Sequence, residues 1–217
     1  MISKLLKLLI IVLLLSCFSS DDEVENEIDD NNQIKLEFNE NFTYIIPGNN
    51  VGFGSIEPCY WNNTENIILE NGNQTTSFFL EDNDIYITGN VLGFGFIKPC
   101  YWKNDEYIEL EEGSETTGIY VYNDNVFISG NLSGFGFMQP CFWKNGEYSE
   151  LIKGSLTTYI NIYNNDVYIA GNLMGFGFSK PCFWKNGTYY ELDGGSETSS
   201  YLRIKRARQA AAASRNN

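Results

Sequence analysis

A unit of 41 residues recurs about four times along this chain without an insertion or deletion, and that fixed period constrains the fold more than any other feature. Pro58-Cys59-Tyr60-Trp61 returns as Pro99-Cys100-Tyr101-Trp102, Pro140-Cys141-Phe142-Trp143 and Pro181-Cys182-Phe183-Trp184. Gly52-Phe53-Gly54, Gly93-Phe94-Gly95, Gly134-Phe135-Gly136 and Gly175-Phe176-Gly177 keep the same register. So do Asn63, Asn104, Asn145 and Asn186, and Leu69, Leu110, Leu151 and Leu192. Fixed-period self-similarity means that each copy is one supersecondary unit that buries its apolar face against its neighbours.

The third copy shows what the unit contains. Phe137–Trp143 predicts a strand a, and Lys144-Asn145-Gly146 a tight turn, because Asn-Gly supplies positive φ. Glu147–Leu151 predicts strand b, and Ile152–Ser155 a loop. Thr157–Tyr163, rich in β-branched and aromatic residues, predicts strand c, and Asp166–Ala170 strand d after an Asn164-Asn165 turn. Gly130–Gly136 predicts a glycine-rich link leading back to strand a. Strands c and d alternate with period two, and no helical periodicity follows the first apolar stretch. The expectation is an all-β fold: a β-propeller or propeller fragment of about four blades, with a four-stranded meander per 41-residue repeat.

The repeat domain is expected over residues 34–204, with copies at 50–90, 91–131, 132–172 and 173–204. Ile34–Gly48 aligns with strands c and d. The chain thus starts on c and d, holds three whole copies and finishes on a, b and the start of c. Terminal halves that pair would close a ring of four blades; a larger propeller is the alternative. From residue 205 the acidic, aromatic pattern gives way to a basic tail, Lys205-Arg206-Ala207-Arg208-Gln209 followed by alanines. Arg203 already replaces the apolar residue of Leu80, Val121 and Ile162, so the tail reads as a frame disruption or an appended sequence, with a basic helix as the alternative.

The first 16 residues read as an export signal: Lys4 and Lys7 among leucines, the apolar run Leu8–Leu15, then Ser16. Leu14-Leu15-Ser16-Cys17 resembles the lipobox of bacterial lipoproteins, which implies lipidation of Cys17 and a membrane contact through that lipid. Residues 17–33 form an acidic, Asn-rich tether, too charged to build a core. Its Ser20-Asp21-Asp22-Glu23 run resembles the surface-export signal of Bacteroidetes lipoproteins. Phe183-Trp184-Lys185-Asn186-Gly187 with Asp166-Val167-Tyr168-Ile169-Ala170-Gly171 is similar to a family of propeller-like repeats in such lipoproteins. That resemblance implies a bacterial outer-membrane address and says nothing of activity.

The chain carries a net charge of −14, and loss of Lys4 and Lys7 with the signal leaves it near −16. Nucleic acid is disfavoured as a partner, because phosphate binding uses clustered Lys and Arg. Histidine is absent, which removes the commonest general base and metal ligand, and with it any Ser-His or Cys-His nucleophile. One cysteine per repeat, Cys59, Cys100, Cys141 and Cys182, lacks the close pairing of zinc sites and reads as a small buried hydrophobe. Asp84, Asp124 and Asp166 fit turn chemistry; calcium needs several oxygens converging at one place. No catalytic, metal or cofactor residue is assigned.

Two aromatic series remain as candidate ligand contacts. Trp61, Trp102, Trp143 and Trp184 are stacking platforms for sugars or else blade core. Phe53, Phe94, Phe135 and Phe176 are loop contacts or else plugs between blades. The functional expectation is a surface-displayed, non-catalytic binding or adhesion scaffold for glycan or protein. The alternatives are the propeller part of a polysaccharide-degrading enzyme and a truncated repeat protein without its own activity.

Overall fold

The computed structural model describes residues 27–28, 34–35, 43–52, 55–134 and 138–199. Cys17, the stretch expected to be an export signal, most of the expected tether, Phe53, Phe135 and the basic tail lie outside the described residues. A boundary between two units falls at Thr43/Tyr44. In the first unit, β1 (Glu27–Ile28) pairs antiparallel with β2 (Ile34–Lys35). Ile34 and Lys35, expected in a strand c, therefore pair with Ile28 and Glu27 instead.

The second unit is all-β among its described residues and has a propeller-like, repeated-sheet architecture. Its first described sheet has three strands, β3 (Ile45–Val51), β4 (Ile56–Asn62) and β5 (Glu65–Ile68). The next is a four-stranded antiparallel meander of β6 (Gln74–Glu81), β7 (Asp84–Gly93), β8 (Phe96–Lys103) and β9 (Glu106–Glu109). Two more follow in the same order: β10 (Glu115–Tyr122), β11 (Asn125–Ser133), β12 (Met138–Lys144) and β13 (Glu147–Glu150), then β14 (Leu156–Tyr163), β15 (Asp166–Gly175), β16 (Phe178–Lys185) and β17 (Thr188–Glu191).

Each full sheet thus runs c-d-a-b, and the break between sheets falls in the b–c loop. The glycine-rich link that leads back to strand a lies inside a sheet. Strand d continues through it, and Gly93 pairs with Phe96, as Gly175 does with Phe178. What remains is a two-residue turn, Phe94-Gly95 or Phe176-Gly177, with the second glycine at φ +82° or +76°. The flanking glycine has a packing reason: a Cβ on Gly93 or Gly175 would collide with the ring of Phe96 or Phe178.

The other turns use the chemistry read from the sequence. Asn145 and Gly146 sit at φ +52° and +82°, Asn186 and Gly187 at +50° and +78°, as a two-residue hairpin requires. The repeated asparagine has a second task. Its Oδ1 accepts a backbone N–H from the start of strand d, Ile85 to Asn104, Val126 to Asn145 and Val167 to Asn186. The adjacent lysines, Lys103, Lys144 and Lys185, lie over the rings of Tyr86, Phe127 and Tyr168.

The core lies between successive sheets. Tyr60 and Leu69 of the first pack with Ile87, Cys100 and Trp102 of the second, and the same positions repeat at the next two junctions. Polar contacts fix the spacing. Thr75, Thr116, Thr157 and Thr198 donate their N–H to Oδ1 of Asn49, Asn90, Asn131 and Asn172 on the preceding sheet. Hydroxyl pairs Thr76–Thr116, Thr117–Thr157 and Thr158–Thr198 join strands c at 2.6, 2.7 and 2.9 Å. Buried donors and acceptors matched in this way avoid the roughly 1–3 kcal/mol cost of each unsatisfied group.

Candidate functional site

The tryptophans are core, which overturns Trp102, Trp143 and Trp184 as ligand platforms. All three are fully buried. Each indole Nε1–H donates across the sheet junction to a b–c loop carbonyl, of Glu70, Glu111 and Ile152 at 2.8, 2.8 and 3.0 Å. Two glycines sandwich each ring. A Cβ on Gly113 or Gly130 would strike Trp143, and Gly154 and Gly171 hold Trp184 in the same way. Tyr107, Tyr148 and Tyr189 close the edge at 6.1, 5.9 and 5.9 Å between ring centroids. No face is left for a sugar. Trp61, in the first described sheet, is half-buried.

The cysteines are core too. Cys59, Cys100, Cys141 and Cys182 are buried free thiols. Burial pushes Cys100 and Cys141 up to about 12 and Cys182 to about 11, so the thiolate needed for metal binding or nucleophilic attack is suppressed. Among the described residues no group of three or more Cys, Asp or Glu side chains is placed to hold a metal.

Asp84 and Asp166 brace turns. Asn104 Nδ2 and Lys103 Nζ reach Asp84 at 2.8 and 3.0 Å, and Asn186 and Lys185 reach Asp166 at 2.7 and 2.7 Å. These contacts hold both carboxyls below the ordinary carboxylate value. Asp124 occupies a positive-φ turn position, at +60°.

The phenylalanine series gives the opposite result. Phe94 and Phe176 stand fully exposed at the tips of the d–a hairpins, so the plug between blades is not their role. The residues around them are also apolar and exposed: Leu92, Phe96 and Ile97 at one tip, Met174 and Phe178 at the other. In a c-d-a-b meander the d–a hairpins and b–c loops share one end of the sheets, and the Asn- and Asp-rich c–d and a–b turns share the other. Exposed Ile152, in a b–c loop, therefore lies on the hairpin side. The hairpin tips are apolar, and the b–c loops beside them carry exposed Glu70, Glu111, Glu112 and Asp193.

One element of this site escaped the sequence reading. Each hairpin stem is tied to the neighbouring b–c loop by a side-chain oxygen. Leu92 N–H donates to Asn73 Oδ1 at 2.7 Å, Ser133 N–H to Ser114 Oγ at 2.9 Å and Met174 N–H to Ser155 Oγ at 2.9 Å. The signal was present, because residues 73, 114 and 155 are one period apart and all small and polar.

No family model matches this chain, and no curated protein matches it. The site is therefore read from its own chemistry: braced hairpins that project unreactive aromatic side chains offer non-covalent contact.

Proposed function

We propose that this protein is a non-catalytic binding or adhesion module, exported and held at the outer membrane of a bacterium by lipid on Cys17, and that it contacts its partner through the d–a hairpin tips. The observation that supports this best is the pair Phe94 and Phe176. They are two periods apart, fully exposed, and mounted on turns braced by Asn73 and Ser155. Large apolar side chains held clear of a rigid scaffold are the usual anchors of recognition surfaces. The same register of the sequence puts Phe53 and Phe135 on the corresponding segments, so the partner meets equivalent contacts whose weak affinities sum through avidity. The apolar flanks favour a protein partner over a glycan, since sugar sites pair an aromatic face with hydrogen-bonding side chains.

The test is adhesion of cells displaying the protein to immobilised surface proteins and to a glycan array. Replacing Phe53, Phe94, Phe135 and Phe176 together by serine is expected to reduce retention by at least about tenfold, with folding intact. Retention that survives the fourfold replacement rules out the hairpin tips. Metabolic labelling with a fatty acid, with Cys17→Ala as control, tests the anchor separately; an unlabelled parent protein removes it.

A further inference from the structure

The junction between sheets is built from the same two half-surfaces every time, and the described run leaves one half bare at each end. The leading half carries the isoleucine and tryptophan of strands d and a. Ile87, Ile128 and Ile169 are each 1% exposed, yet their equivalent in the first described sheet, Ile46, is 56% exposed. The trailing half carries the leucine that follows strand b. Leu69, Leu110 and Leu151 are 2%, 3% and 2% exposed, whereas Leu192 of the last sheet is 42% exposed. Beside Leu192 stand exposed Tyr190 and, stacked on it at 4.9 Å, Phe183. These occupy the positions of Ile67 and Tyr60, which pack against the second sheet at the first junction.

We infer that two copies of this chain associate head to tail, the trailing face of one, Phe183, Tyr190 and Leu192, seating on the leading face of the next, Ile46 and Trp61. Complementarity is given by the molecule itself, because the surfaces are the two sides of a junction that the chain already makes at three places. Both faces stand exposed in one and the same chain, so neither covers the other. The polar pins are in place as well. Asn172, on the last sheet, already binds Thr198 N–H at 2.7 Å, as Asn49, Asn90 and Asn131 bind the threonines of the next sheets. Such an interface is heterologous: each copy uses a different face.

Heterologous pairing has a signature that no symmetric dimer shares. The full chain is studied in detergent by sedimentation equilibrium, alone and as Ile46→Glu and Leu192→Glu variants. Both positions are exposed, so the substitutions leave the fold intact, checked by thermal melting. Wild type is expected to exceed the mass of one chain increasingly with concentration. Each variant alone is expected to remain at one chain, because it keeps only one working face. An equimolar mixture of the two is expected to reach twice that mass, since the intact trailing face of one variant meets the intact leading face of the other. A wild type of single-chain mass at every concentration overturns the inference, as do variants that still self-associate or a mixture that does not pair. None of these results bears on lipidation or on the hairpin tips.

Discussion

Five of the six residues of the Pro-Cys-Tyr/Phe-Trp-Lys-Asn block in the last three copies have separate assignments. Proline supplies a carbonyl to the N–H of the leucine after strand b, as Pro140 does for Leu151 at 2.9 Å. Cysteine fills the junction, tryptophan bolts it to the previous sheet, lysine caps a ring and asparagine locks a turn. Trp143→Ala is expected to lower unfolding free energy by about 3–5 kcal/mol in chemical denaturation, the range for emptying an aromatic core site. Trp143→Phe, which keeps a ring but loses the bond to Glu111, should cost less, with about 1–3 kcal/mol from the carbonyl left unpaired. The buried thiols contribute to the alkaline limit, together with Tyr60, Tyr107 and Tyr148, whose hydroxyls burial also pushes up to about 12. The thiol pKa is raised from an ordinary value of 9.0 to about 12 in Cys100 and Cys141, so the stability these two contribute is fully present below pH 9 and is lost as pH rises through about 12. Asp84 and Asp166 act with the opposite sign: held low, they add stability above the ordinary carboxylate value that disappears on acidification through their folded pKa. Melting midpoints across pH should fall at both extremes, and Cys100→Ala with Cys141→Ala should flatten the alkaline side.

Among the elements, the d–a hairpin is where local sequence and final structure part company. Gly-rich text reads as a loop, and Gly93-Phe94-Gly95 reads as a connecting loop before strand a. Instead one glycine lies under the Phe96 ring and the other takes φ +82°, so the segment is a two-residue turn inside the meander. Two physical roles wrote the same letters, and a composition rule cannot separate them. The a–b turn was legible because Asn-Gly at a two-residue hairpin has one common solution. Burial of the tryptophans depended on a partner surface 32 residues earlier in the chain, as in the Trp143–Glu111 bond, which no local pattern reveals. At this scale Ser155→Ala should speed hydrogen exchange at the Met174 amide several-fold and leave strand β14 unchanged. Equal protection in the variant and the parent would mean that the brace does not order the hairpin.

For the whole molecule, the period predicted how many sheets to expect and their strand content but not their phase, since a repeat has no intrinsic first strand. The b–c connection proved to be the joint because it carries the carbonyls that receive the next sheet's indoles. A run of sheets built this way resembles other repeat proteins in stability: each unit contributes an intrinsic term and a nearest-neighbour term. It also sorts its surface. Exposed phenylalanines stand at the d–a hairpin tips, while tryptophan, the residue most suggestive of a binding ring, is spent inside. The most direct test of that sorting is acrylamide quenching of tryptophan emission. In the native protein, quenching should be weak and confined to Trp61. Phe94→Trp and Phe176→Trp should each add a red-shifted, freely quenched component without moving the melting midpoint. Native tryptophans quenched as readily as free indole, or shielded emission from the introduced residues, would contradict the arrangement of buried Trp and displayed Phe on which the account stands.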